Sequence, residues 1–167
     1  MNWSISNIKK LIGFYILFFS QSSLAATTTA NLSVSAVVIK ACAFGTITSV
    51  AFGNYDPTSA IANNNTGSIV VTCTLGDVYN IALNPGAFAG ATVTTRRMSG
   101  PSAGGLSYSL YRDSGRTLNW GQTIGTNTLQ QTGSGLAQTA TVYGQIPALQ
   151  AVSAGSYSDT VGITVTF

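Results

Sequence analysis

Apolar and polar positions alternate with a period of two along much of this chain, a pattern that predicts strands rather than helices. Ile69, Val71, Cys73 and Leu75 fall on one face of such a strand, with Val70, Thr72 and Thr74 on the other. Tyr79, Ile81 and Leu83 repeat the alternation until Asn84-Pro85-Gly86 ends it with turn residues. Leu106, Tyr108 and Leu110 form another strand before the polar turn Arg112-Asp113-Ser114-Gly115, and Ala140, Val142, Gly144 and Ile146 form a further one stopped by Pro147. Residues 60–67 and 121–135 read as polar connecting loops. Short strands at this spacing, divided by Gly, Pro and Asn, point to one all-β sandwich and not to a parallel α/β sheet.

The two ends carry the same alternation. Tyr157, Val161, Ile163, Val165 and Phe167 make an apolar face opposed by Ser156, Ser158, Thr160, Gly162, Thr164 and Thr166. An aromatic at the core-facing end of this strand would forfeit roughly 1.5 to 3 kcal/mol if left uncovered, so something must cover it. Near the front, Ala30, Leu32, Val34, Ala36 and Val38 alternate with Asn31, Ser33, Ser35 and Val37, ahead of Cys42. This strand is either the first of a self-sufficient sandwich or an extension lent to another molecule. Neither end carries the charge or proline that normally blunts an apolar edge, which favours exchange. The expected fold is therefore a sandwich lacking its last strand, completed by strand addition.

Residues 1–25 have the layout of a secretory signal peptide: Lys9 and Lys10, an apolar run from Leu11 too short to span a bilayer, then Ser23 and Ala25 as small residues before a cut ahead of Ala26, with a cut ahead of Thr27 as the alternative. Residues 26–40 are then an N-terminal donor-strand extension and 41–167 the sandwich domain. Without Lys9 and Lys10, the cations Lys40, Arg96, Arg97, Arg112 and Arg116 nearly balance Asp56, Asp77, Asp113 and Asp159. No basic stripe supports nucleic-acid binding, and no membrane insertion follows removal of the leader. Cys42 and Cys73, the two cysteines of a chain sent to an oxidising compartment, are expected to pair.

Catalysis is not expected. The chain has no histidine, and its four acidic residues are all aspartates, so the usual acid–base pairs cannot be assembled. No cofactor or metal site is expected: histidine and a third cysteine are lacking, and Asn63 to Asn65 lack the acidic oxygens of a calcium loop. Asp113 beside Arg112 and Arg116 reads as a surface ion pair or turn brace, Arg96-Arg97 as a solvated turn, and Trp120 as a core or loop-packing residue.

Taken together, the segment leading to Cys42, the strand Ile69-Val70-Val71-Thr72-Cys73, the run Leu106-Ser107-Tyr108-Ser109-Leu110-Tyr111-Arg112-Asp113, and the ending from Gly155 to Phe167 resemble the spore coat protein U domain family, which includes subunits of archaic, Csu-type chaperone-usher pili. The resemblance implies an incomplete immunoglobulin-like sandwich with a Cys42–Cys73 disulfide. It implies Leu32, Val34, Ala36 and Val38 as donor-strand residues, and Val161, Ile163, Val165 and Phe167 as the strand bordering the acceptor groove and contacting a chaperone. The implied partners are a periplasmic chaperone, an outer-membrane usher and other pilin copies. The implied product is a surface fibre for attachment and biofilm formation. A secreted spore-coat-type structural protein and a carbohydrate-binding or tip-adhesin module are the alternatives.

Overall fold

The computed structural model describes residues 24–167, so the leader features at Lys9, Lys10 and the apolar run from Leu11 lie outside the described residues. The chain divides into two units, Met1–Val37 and Val38–Phe167. In the first, residues 24–37 carry neither helix nor strand. The strand expected over residues 30–38 is thus not formed in the single chain. A strand satisfies its N–H and C=O groups only on a neighbour, and periodicity alone supplies none.

The second unit is all-β. Its strands are β1 (Cys42–Thr48), β2 (Asn63–Cys73), β3 (Val78–Leu83), β4 (Arg97–Met98), β5 (Leu106–Ser107), β6 (Ser109–Tyr111), β7 (Leu129–Thr132), β8 (Ala137–Ile146) and β9 (Ile163–Thr166). One sheet has the order β1-β2-β8-β6, another β7-β3-β9, and β4-β5 form a small ribbon. Every ladder is antiparallel.

The alternation read from the sequence maps onto the core. Ile69, Val71 and Cys73 of β2, Tyr79, Ile81 and Leu83 of β3, and Ala140, Val142 and Ile146 of β8 are buried together with Leu106, Tyr108 and Leu110. Leu75 departs from the pattern and is exposed, because the chain turns at Thr74, where Asp77 donates its N–H to the Thr74 carbonyl. Two expected loops hold strands. β2 begins inside residues 60–67 and β7 lies inside 121–135, both built from polar residues that show no apolar alternation. At the C-terminus only Ile163–Thr166 is a strand, while Ser158 forms an isolated bridge with Ser99.

Trp120 is fully buried and donates its indole N–H to the Ile81 carbonyl at 2.8 Å. Arg96 overturns the solvated-turn reading. It is fully buried, and its guanidinium donates to the carbonyls of Asn84, Leu83, Val93 and Trp120 at 2.8–2.9 Å. The carbonyls come from the end of β3 and from two loops, so one fork-shaped cation closes backbone groups that no ladder reaches. Burial pushes the guanidinium pKa down, opposed by nearby Tyr108 and Asp159. Arg97 next to it is exposed and lies 5.8 Å over the Phe88 ring. Asp113 is a turn brace, accepting the N–H groups of Thr117 and Leu118 and the Thr117 hydroxyl. Among the described residues the ion pair is Lys40–Asp77 rather than one at Asp113.

Cys42 and Cys73 are disulfide-bonded directly across the β1–β2 ladder. Replacing both with serine is expected to lower unfolding stability by roughly 3 to 4 kcal/mol, from lost restriction of the unfolded chain, as measured by urea denaturation. Arg96→Lys keeps the charge but not the fork; it is expected to cost about 3 kcal/mol in the same assay, by leaving buried carbonyls unpaired.

Candidate strand-acceptor cleft

β1 is an edge strand, paired with β2 alone. Phe44 and Ile47 pair with Val71 and Ile69, so all four side chains point toward the core. Yet Val71 is 0% and Ile69 2% exposed, against 47% for Phe44 and 50% for Ile47. β9 is the edge strand of the other sheet, paired with β3 on one side and, among the described residues, with no strand on the other. Its inward residues, Ile163 and Val165, are opposite Leu83 and Ile81. Each sheet thus ends in an edge strand whose inward residues are only partly covered, β1 in one and β9 in the other.

A cleft of about 940 Å³, lined by both apolar and polar residues, lies at the Ile47 end of β1 and does not reach Phe44. Its floor includes Ile69, Leu83, Tyr108 and Val142, and its rims are residues 47–55 on one side and 152–163 on the other. Of the residues expected to border an acceptor groove, Val161 and Ile163 line the cleft. Val165 packs against the core beside it, and Phe167 is 50% exposed at the end of the same face.

Local chemistry shapes both rims. After Thr48 the first rim leaves the β2 ladder, and side-chain amides replace main-chain bonds. Asn65 donates to the Ala51 carbonyl, and Asn63 to those of Phe52 and Asn54 at 3.1 and 3.0 Å. Val50 and Phe52 then lie over Gly144 of β8, where a Cβ would meet the Val50 Cγ1 at 2.5 Å, so only glycine lets this rim fold inward. On the second rim, Asp159 accepts the Tyr108 hydroxyl at 2.6 Å and the Ala87 N–H at 2.8 Å. Burial, then the bond to Asp159, pushes the Tyr108 phenol far up, so it stays a neutral donor. Asp159 rests against Gly86, whose left-handed φ of 92° and missing Cβ permit the contact.

The donor-strand residues expected from the sequence lie in or next to the first unit. Leu32 is 89% exposed, and Val34 and Val38 are each 86% exposed. Ala36 is exposed as well. Among the described residues no three His, Cys, Asp or Glu side chains converge as metal ligands. Periodicity had not revealed the part played by Phe44 and Ile47. A bulge between them spaces the two inward residues three apart instead of two.

Residues 28–164 match the family model described as the Spore Coat Protein U domain. Protein U of Myxococcus xanthus is 44% identical over 156 residues, covering 86% of this chain and 87% of that protein. The crystal structure of the CsuC-CsuE chaperone-tip adhesion subunit pre-assembly complex, from archaic chaperone-usher Csu pili of Acinetobacter baumannii, superposes with a TM-score of 0.56 at 21% identity. The match covers 78% of this chain, which spans 40% of the chain it resembles. At that identity the likeness establishes the fold, an immunoglobulin-like sandwich, and the chain is a structural protein rather than an enzyme. With the matched region extending over most of its length, the chain belongs to the spore coat protein U domain family.

Proposed function

We propose that this chain is a pilin-type structural subunit that polymerises by donor-strand complementation, with residues 32–38 of one copy filling the cleft of the next. The observation that carries this reading is the open sandwich itself, whose two sheets end in β9 and the half-covered β1. An added strand would satisfy the β9 main chain and cover Ile47 and Phe167 in one step. Occupant and cleft agree in periodicity. Leu32, Val34, Ala36 and Val38 place four side chains on one face, as do Val161, Ile163, Val165 and Phe167 on the rim. Burying Leu32, Val34 and Val38 would contribute roughly 1.5 to 3 kcal/mol each, before the cost of ordering the segment.

The fold it shares with a chaperone–subunit complex of chaperone-usher pili supports the rest of the reading. The leader directs the chain to the periplasm. A chaperone there occupies the cleft until an outer-membrane usher passes the subunit into a surface fibre serving attachment and biofilm formation. A secreted coat polymer built by the same strand exchange is the second reading, favoured by the family to which the chain belongs. Negative-stain microscopy of cells with and without the gene separates a fibre from a coat.

Deleting residues 27–38 is expected to leave a subunit that a cognate chaperone keeps soluble but that forms no heat-resistant ladder on gels. Undiminished ladders from this deletion would overturn the scheme. Val34→Arg, which would force a charge into the cleft, is expected to reduce ladder yield at least tenfold while leaving the melting temperature of the chaperone-bound subunit unchanged.

A further inference from the structure

We propose that the outer face of the β1-β2-β8-β6 sheet binds a carboxylate-bearing polysaccharide, through a platform centred on Tyr111, Tyr143 and Arg116. The platform lies on the opposite side of the sheet from the cleft and does not depend on the donor-strand reading. The alternation that buries Leu110 of β6 and Val142 and Ile146 of β8 turns Tyr111, Tyr143 and Gln145 outward. Tyr111 is directly opposite Tyr143, which is in turn opposite Thr66 of β2, and both phenol rings are partly exposed. At the next outward position Gln145 lies between Ser109 and Asn64, and its Nε2 donates to the Asn64 Oδ1 at 3.0 Å. Two neighbouring aromatic rings are thus bordered by amides and hydroxyls.

Arg116 supplies the charge. Its backbone is left-handed at φ 54°, a conformation that ordinarily falls to glycine, although Gly115 precedes it and does not take that role. The turn carries the guanidinium back over the sheet, with Cζ 5.9 Å from the Tyr143 ring centroid and Nε donating to the Gly144 carbonyl at 3.1 Å. Nη1 makes a long bond to the Ser114 carbonyl at 3.4 Å, and among the described residues the ion pair is Lys40–Asp77, so no carboxylate neutralises this group. Asp113, in the same turn, spends its carboxylate on the N–H groups of Thr117 and Leu118. The four strands themselves hold no charged residue, so Arg116 sets the sign of the face.

Each group matches a different part of an acidic sugar polymer. The phenol rings offer apolar faces to the C–H side of a pyranose ring, the amides and hydroxyls pair with its hydroxyl groups, and the guanidinium takes its carboxylate. An open sheet face suits a chain lying across the strands, whereas a small molecule needs a concave pocket. A single-stranded nucleic acid also stacks on tyrosine, but it brings one phosphate per nucleotide, and a lone cation meets that charge poorly.

The test uses the full chain as released by cells that express it, in the assembly in which it leaves them. It is captured on a sensor surface and exposed at low salt to polygalacturonate, to a neutral glucan of similar length and to single-stranded DNA. Polygalacturonate is expected to bind roughly fivefold or more tighter than either of the others. Tyr143→Thr, which suits a strand, and Arg116→Gln are each expected to weaken that binding roughly tenfold. Tyr143→Phe keeps the ring and is expected to change it less than about twofold, and Arg97→Gln, at an exposed cation outside the platform, to leave it unchanged. Should Tyr143→Thr fail to fold, Tyr111→Thr carries the same expectation. Any of three results overturns the proposal: no binding of polygalacturonate, equal or tighter binding of the glucan or the DNA, or binding that survives both Arg116→Gln and the tyrosine replacement. None of them bears on strand exchange at the cleft.

Discussion

A β-sandwich is stable where each inner face has an opposing sheet and each buried main-chain group has a partner, and on the β1 side of this domain both conditions are left half met. The sheet β7-β3-β9 has three strands against the four of β1-β2-β8-β6, and β9 and β1 are edge strands. Phe44 and Ile47 are consequently half exposed although they sit on the same face as the fully buried Val71 and Ile69. The free edge of β9, the cleft and the exposed end of the C-terminal strand all follow from that one shortfall.

A domain with an incomplete core needs other means to hold its shape, and they gather around the opening. The disulfide ties the uncovered strand to β2. Arg96 closes carbonyls from β3 and two loops, and the Tyr108–Asp159 bond pins the second rim to the floor. Asn63 and Asn65 hold the first rim where ladder bonds stop. These are directional bonds and one covalent link, less dependent than apolar burial on a completed core. On the proposed reading they keep the acceptor cleft open and shaped before its occupant arrives, so less ordering is required when it docks.

Much of this architecture was legible along the chain. Period-two alternation located β2, β3 and β8 and their inward residues, because burial on one face of a strand selects every second side chain. The pairing of two cysteines and the core position of Trp120 could be read likewise. Other features depend on groups that meet only in three dimensions. Arg96 looked like a surface charge in a Thr-Thr-Arg-Arg run, since nothing local reveals that four carbonyls from distant segments converge on it. β1 escaped notice because its bulge breaks the period, and β7 because Gln and Thr supply no apolar signal. The apolar alternation near the front determined that residues 30–38 could be a strand. Whether they are one depends on a partner edge, and hydrogen bonding between strands is a property of the tertiary or quaternary arrangement, not of a segment.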